Sequence, residues 1–275
     1  MINLSEITQV VVVTYNPEIE LFEKNIKALH AQFEHILIVD NNSKNIAGIE
    51  KLLSDFKYFV KIVKLDNNMG IAYAQNLGLK LATEKGMKWL LTMDQDSIIP
   101  DNLTTKYMSM INQDKNVAMI GWGLKNGEVY GLLSSGCIAN VKMANKIGGF
   151  NEELFIYHVD TDFTLRMKRL GKTLATDSVC LAHQLGETTN KKTLTGKEYR
   201  EHSLSAHYYI TRNSAYLFKK YFFIYPFPAI RIFILAPLYE IFNLLVHTQK
   251  RAFAIKLFAA AISAGLKNNL GKYQS

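Results

Sequence analysis

Trp89-Leu90-Leu91-Thr92-Met93-Asp94-Gln95-Asp96-Ser97 is the stretch on which the fold turns. The apolar run Trp89, Leu90, Leu91 and Met93 predicts a buried strand. That strand delivers Asp94 and Asp96 to its C-terminal end, and Pro100 closes the loop. In an open α/β sheet, ligands bind outside the carboxyl ends of the strands. Two carboxylates one residue apart on a turning loop can reach one hard cation, directly or through water. A divalent ion with oxygen ligands is a common bridge to a diphosphate. Asp, Gln and Ser at a strand end are equally ordinary turn and cap residues. The pair therefore takes its meaning from what surrounds it.

Upstream, the chain repeats a strand–helix unit. Val10–Val13 is a continuous β-branched run, as a buried parallel strand requires, and Thr14-Tyr15-Asn16-Pro17 ends it. Ile19, Phe22, Ile26 and Leu29 follow at helical spacing. Ile36–Val39 predicts the next strand, ended by Asp40-Asn41-Asn42-Ser43, and Ile46, Ile49, Leu53 and Phe56 a second helix. Val60–Leu65 predicts a third strand, Asp66-Asn67-Asn68-Met69-Gly70 its loop, and Ala72 to Ala82 a third helix. Four strands alternating with three helices predict a parallel sheet with right-handed crossovers. Each strand ends in residues suited to a nucleotide. Thr14, Tyr15 and Asn16 offer hydroxyls, an amide and a ring face. Asp40 can accept from ribose hydroxyls or a base imide, and Asn67, Asn68 and Gly70 allow backbone N–H groups to approach a ligand at a helix start. No Gly-x-Gly-x-x-Gly follows the first strand and no Walker loop is present, which argues against dinucleotides and P-loop triphosphates.

Composition narrows the class. In 275 residues, 48% apolar, there are two cysteines, Cys137 and Cys180, too few for a disulfide framework and in keeping with a reducing compartment. The N-terminus has no basic stretch or cleavage pattern, so no signal peptide is expected. The net charge is +8, and residues 219–275 hold eight Lys and Arg against Glu240 alone, almost the whole excess. That segment is also rich in Phe, Ile, Leu and Tyr. Basic and apolar together favour an anionic membrane surface over nucleic acid. Its uncharged runs, Tyr221–Ile230 and Ile232–Tyr239, are broken by Pro226, Pro228 and Pro237 and fall short of a spanning helix. The segment is expected to lie on a membrane or to pack as a helical layer on the domain, two compatible readings.

Four motifs together carry a resemblance: Val12-Val13-Thr14-Tyr15-Asn16-Pro17, Val39-Asp40-Asn41-Asn42-Ser43, Asn68 to Asn76 (Asn-Met-Gly-Ile-Ala-Tyr-Ala-Gln-Asn) and Met93-Asp94-Gln95-Asp96-Ser97. In order and spacing they resemble the family 2 glycosyltransferases of the GT-A fold, most of all the bacterial rhamnosyltransferases, over roughly residues 8–215. The resemblance implies an α/β, Rossmann-like, mostly parallel sheet flanked by helices. It implies a glycosyltransferase domain over residues 1–215 and a C-terminal helical, apolar and basic segment over 216–275. The donor, a nucleotide diphosphate sugar, would be held by Thr14, Tyr15, Asn16, Asp40, Asn68, Gly70, Asn76, Asp94 and Gln95. Mg²⁺ or Mn²⁺ would sit on Asp96 and Asp94.

An inverting sugar transfer needs a base for the acceptor hydroxyl and positive charge for the departing diphosphate. Leu154 to Phe163 leads into a helix that Gly171 stops. Asp160 or Asp162, at its start, can be that base, although both are also good first-turn residues. Val159-Asp160-Thr161-Asp162-Phe163-x-Leu165-Arg166 resembles the family's Glu-Asp-x-Asp-x-x-x-Arg motif, which makes Asp160 the base and Asp162 a support of the helix start or acceptor site. Val159 stands where many members have Glu, and Tyr157 where the rhamnosyltransferase subgroup commonly has Asp.

The resemblance also offers His183, in an His-x-x-Gly segment, as a metal or diphosphate contact. Arg212, in Tyr208-Tyr209-x-x-Arg212-Asn213, would be a phosphate contact, for which a guanidinium fork is suited. Val117–Trp122 predicts a strand, Val129–Val141 with Ser134-Ser135-Gly136 a mixed edge, and residues 186–200 a loop that orders over bound donor. The expected activity is inverting transfer of L-rhamnose from dTDP-L-rhamnose to a lipid-linked or polysaccharide acceptor, at the cytoplasmic face of the membrane. A UDP-hexose or galactofuranose donor keeps the same fold. A phosphohydrolase with an Asp nucleophile fits less well, because its acidic pair normally follows the first strand. A non-catalytic membrane scaffold explains the tail but not four polar strand ends.

Overall fold

The computed structural model describes residues 3–123, 127–176, 182–183, 190–192, 198–200, 203–247 and 251–273. The chain forms two compact units, Met1–Glu152 with Val159–Leu185, and Glu153–His158 with Gly186–Ser275.

The first unit is built on β1 (Thr8–Thr14), α1 (Ile19–His30), β2 (His35–Asp40), α2 (Ile46–Leu53), β3 (Val60–Lys64), α3 (Ile71–Glu84), β4 (Trp89–Asp94) and β5 (Ser97–Ile98). It continues with α4 (Leu103–Gln113), β6 (Val117–Trp122), β7 (Gly127–Glu128), β8 (Cys137–Asn140), α5 (Val141–Lys146), α6 (Val159–Met167), β9 (Lys172–Thr176) and β10 (Ala182–His183). Eight strands form one sheet in the order β3-β2-β1-β4-β8-β6-β9-β7. The four N-terminal strands are parallel, as their alternation with helices requires. Residues 129–136 form no strand. Only Cys137–Asn140 does, and it lies inside the sheet, antiparallel to both β4 and β6, rather than at an edge. The turn around Ser134, Ser135 and Gly136 breaks the apolar run, so the chain re-enters the sheet only after it.

The core follows from the apolar runs. Val10 and Val12 on β1, Ile36 and Ile38 on β2, and Leu91 and Met93 on β4 pack with Phe22, Ile26 and Leu29 of α1. On the other face α3 lies directly on β1. A Cβ at Gly78 would stand 2.5 Å from Val11 Cβ, so only glycine permits this approach.

The second unit carries the hairpin strands β11 (Asn190–Lys192) and β12 (Glu198–Arg200), paired antiparallel. The rest of the loop over residues 186–200 that was expected to close over donor lies outside the described residues. Its helices are α7 (Leu204–Tyr221), α8 (Pro226–Ile230), a π-helical turn Arg231–Leu235, α9 (Ala236–His247) and α10 (Arg251–Leu266). Ser203 caps α7, its hydroxyl accepting from Ala206 N at 3.2 Å. α7 and α10 touch backbone to backbone at Gly265, where any Cβ would collide with the Arg212 carbonyl.

Candidate active site

The parallel register gathers the polar strand ends. Thr14 at the end of β1 pairs with Asp40 of β2, and Val13 pairs with Asp94 of β4. The loops beyond are tied into one network. Thr14 Oγ1 donates to Asp40 Oδ1 at 2.8 Å, where Ser43 Oγ also donates at 2.5 Å, and Ser43 N donates to Asp40 Oδ2 at 2.8 Å. Asn16, in the left-handed region at φ 50°, donates its N–H to Ser43 Oγ at 2.8 Å. Gln95 Oε1 accepts from Tyr15 N at 2.8 Å, which fastens the acidic loop after β4 to the loop after β1. The Tyr15 side chain stays exposed. Asn41 bridges to the third loop, accepting from Met69 N at 3.1 Å and donating to Gly70 O at 3.2 Å. Asn68 Oδ1 accepts from Gly70 N at 3.0 Å. Gly70, at φ 87°, starts α3 without a side-chain cap, so the first amides of that helix face the loop edge unclaimed by one.

Asp94, Asp96 and Asp160 form one acidic group. Burial, then Asp96, then Asp160 push the Asp94 carboxyl up to about 7. Asp160 lies at the start of α6 and is also raised by burial, against the hydrogen bonds that hold its charged form. Thr161 N donates to its Oδ1 at 2.7 Å, and the Ser134 backbone adds another bond. Asp94 N in turn donates to Ser135 Oγ at 3.2 Å. The loop Ser134-Ser135 thus touches both Asp94 and Asp160.

Other expected residues take different places. Asp162 is fully buried, and its Oδ2 accepts from Arg166 Nε at 2.7 Å, while Arg166 Nη1 donates to Ile147 O and Gly149 O at 3.0 and 2.6 Å. It holds Arg166, which ties α6 to the preceding turn. Asn76 donates to Phe150 O and Glu152 Oε1 and accepts from Phe150 N, so its amide is occupied by that turn instead of facing a donor. Arg212, expected at a phosphate, is 1% exposed. Its Nη1 donates to Gly271 O at 2.6 Å and its Nη2 to Leu154 O at 3.1 Å, with the Tyr209 ring 4.9 Å away. The guanidinium organises the second unit because its fork is filled by carbonyls of that unit. The His183 backbone pairs across from Ser97, next to Asp96. The His183 side chain lies outside the described residues.

Three contributors were not expected. Asn25 of α1 donates its Nδ2 to Asp94 O at 2.9 Å and to Ser97 O at 2.5 Å, clasping the acidic loop from below. A polar residue among Phe22, Ile26 and Leu29 on the apolar face of that helix was the available signal. Asn41 and the Ser134-Ser135 pair had none, because their partners lie far away in sequence.

The sheet, mostly parallel on its N-terminal side, thus groups acids beyond the C-terminal ends of its strands, with the Asp160 carboxylate at the start of α6 among them. The model of glycosyl transferase family 2 matches residues 9–174, and the chain belongs to this family. The chain is 30% identical to the dTDP-rhamnosyl transferase RfbF of Shigella flexneri, across 76% of this chain and 79% of that protein. Among solved structures it is similar to the mannosyltransferase PcManGT from Pyrobaculum calidifontis in complex with GDP-Man and Mn²⁺, at TM-score 0.62 and 14% identity, covering 95% of this chain and 75% of that one. It is also similar to residues 1–349 of TarS from S. aureus in complex with UDP-GlcNAc, at TM-score 0.54 and 16% identity, covering 93% and 71%. These likenesses confirm the GT-A fold. The protein is a glycosyltransferase.

Proposed function

We propose that the chain transfers L-rhamnose, with inversion, from dTDP-L-rhamnose to a lipid-linked or polysaccharide acceptor at the cytoplasmic face of the membrane. The observation that carries the chemistry is the grouping of Asp94, Asp96 and Asp160, with Asp94 pushed up to about 7 by burial and by its acidic neighbours. Such repulsion is relieved by a cation. Among the described residues no three His, Cys, Asp or Glu side chains close around one point. Asp94 and Asp96 would instead supply two carboxylates to Mg²⁺ or Mn²⁺, with the donor's phosphates providing further oxygens that a small hard cation takes. When bound, the ion would neutralise charge on the departing diphosphate. His183, with its backbone beside this loop, is a candidate further contact.

In this reading Asp160 takes the acceptor hydroxyl's proton, its Oδ1 oriented by Thr161. Burial raises its affinity for the proton, which suits a base that must hold it through the transfer. Asp162 and Arg166 hold the helix. Tyr15, Asn16, Asp40, Asn68 and Gly70 frame the nucleoside side, and 1–215 serves as the transferase domain with 216–275 as its membrane-facing appendage. The likeness to RfbF supports dTDP-rhamnose. Thermal stabilisation by dTDP, UDP and GDP, each with and without Mn²⁺, tests the donor. The expected result is metal-dependent stabilisation selective for dTDP, lost in Asp96→Ala. Selectivity for UDP would replace the sugar and keep the mechanism. Metal-independent binding unchanged in Asp96→Ala would overturn the metal assignment.

A further inference from the structure

The second unit has an outer surface that neither the transfer chemistry nor its own core uses. From Pro226 to His247, α8, the π-helical turn and α9 follow one another without a break. Ala229, Phe233 and Pro237 point inward and are buried, and Ile241 and Leu245 pack on Ala254 and Phe258 of α10. The opposite stripe, Phe227, Arg231, Leu235, Leu238 and Phe242, advances by four, four, three and four residues and is exposed throughout. Phe227 is 84% exposed, and Phe223 just before it 91%. α10 repeats the pattern. Ala254, Leu257, Phe258, Ala261 and Gly265 are buried, while Ile255, Ala259, Ile262 and Leu266 form an exposed apolar stripe on another side. Helices apolar on two faces belong in a protein interior or in lipid, not in water.

We infer that these outward stripes seat the second unit in the interface of an anionic lipid bilayer, with the helices lying in the membrane plane. This deepens the membrane-face reading above and rests on it. Exposed cations accompany the stripes: Arg231, Arg251, Lys256 and Lys267. Glu240 is the lone acid in residues 219–275. That sign fits anionic headgroups and disfavours a second copy of the chain, whose matching face would bring like charges together. Among the described residues no helix is long and apolar enough to cross a membrane. An interfacial helix set, apolar tips in the acyl boundary and cations at the headgroups, satisfies these constraints together.

The test is flotation of the full chain with vesicles of phosphatidylcholine alone or mixed with phosphatidylglycerol, with dTDP/Mn²⁺ thermal stabilisation measured on the same samples. The native chain should float with the anionic vesicles and remain behind with the zwitterionic ones. The combined Leu235→Gln, Leu238→Gln and Phe242→Gln variant should lose partitioning by about tenfold or more, with its melting temperature and nucleotide response kept. Native protein left behind by anionic vesicles, or a variant that floats as well as native, overturns the inference. So does a dimer in light scattering that the variant dissociates without any flotation. Failure to float alongside an intact dTDP response removes the membrane surface alone. Flotation without any nucleotide response removes the donor reading instead.

Discussion

Helices α3 and α10 are similar in length, yet they meet their surroundings in opposite ways. α3 buries Ala72, Gly78, Leu79 and Ala82 and presents Lys80, Thr83 and Glu84 outward. α10 buries Ala254, Leu257, Phe258 and Ala261 and presents Ile255, Ile262 and Leu266 outward. The contrast extends to the polar groups. In the first unit, buried Thr14, Asp40 and Asn25 hold loops that converge on a group of acids. In the second, buried Arg212 and Asn213 hold backbone: Asn213 Nδ2 donates to Ile156 O at 2.8 Å and Tyr157 O at 2.9 Å. These bonds restrain a segment whose Phe155, Tyr157 and His158 have φ of 64°, 60° and 59°, values unusual for residues with a side chain. The first unit's buried polar residues hold loops around a group of acids, and the second unit's hold its own backbone, while apolar side chains of the second stay exposed.

That division can be broken most sharply at Asp160. Asp160→Asn should lower transfer by about 10²–10⁴-fold, the scale of a lost general base, while donor affinity and melting temperature stay near native. Steady-state turnover close to native would place the base elsewhere. The mirror experiment is in the second unit. Arg212→Met should cost about 1–3 kcal/mol in urea unfolding, because Leu154 O and Gly271 O lose buried donors, with donor affinity retained. A large loss of dTDP affinity at native stability would return Arg212 to the phosphates and blur the division.

Packing gives a comparable effect inside the first unit. Gly78→Ala should destabilise by about 1–3 kcal/mol through overpacking against Val11, and an unchanged denaturation midpoint would mean α3 can lift off β1. The smallest effect is a pH dependence. Asp94 binds its proton more tightly folded than unfolded, so its contribution is present at low pH. It should fade as pH rises from about 4 to about 7, since the unfolded state then holds fewer protons than the native one. Without divalent ions, the melting temperature of Asp94→Asn should therefore exceed native by a few degrees at pH 8 and match it near pH 4. Equal pH profiles would mean that burial and the neighbouring acids do not raise the Asp94 carboxyl. Added Mn²⁺ should stabilise native protein more at pH 8 than at pH 5.

The strands that make the sheet were legible because each is a short apolar run ended by polar turn residues, and Asp94 and Asp96 because they end the most apolar of them. β8 was misjudged as an edge because strand order depends on pairings between residues far apart, such as Leu91 with Ile138. Arg212 was expected at a phosphate from the Tyr-Tyr-x-x-Arg-Asn resemblance, and nothing in that motif tells that the guanidinium is buried on the carbonyls of Leu154 and Gly271.

By itself, the order of residues determined the alternation of strand and helix, the placing of acids after the fourth strand and a basic, apolar C-terminal segment, because these depend on local periodicity and composition. Tertiary structure alone decided which of the candidate side chains come together. It brought Asp160 to Asp94, set Ser134 and Ser135 between them, filled Asp162, Asn76 and Arg212 with protein partners, and left the stripes of α9 and α10 uncovered. Those outcomes hang on hydrogen bonds and burial between distant segments, which exist only once the chain has closed on itself.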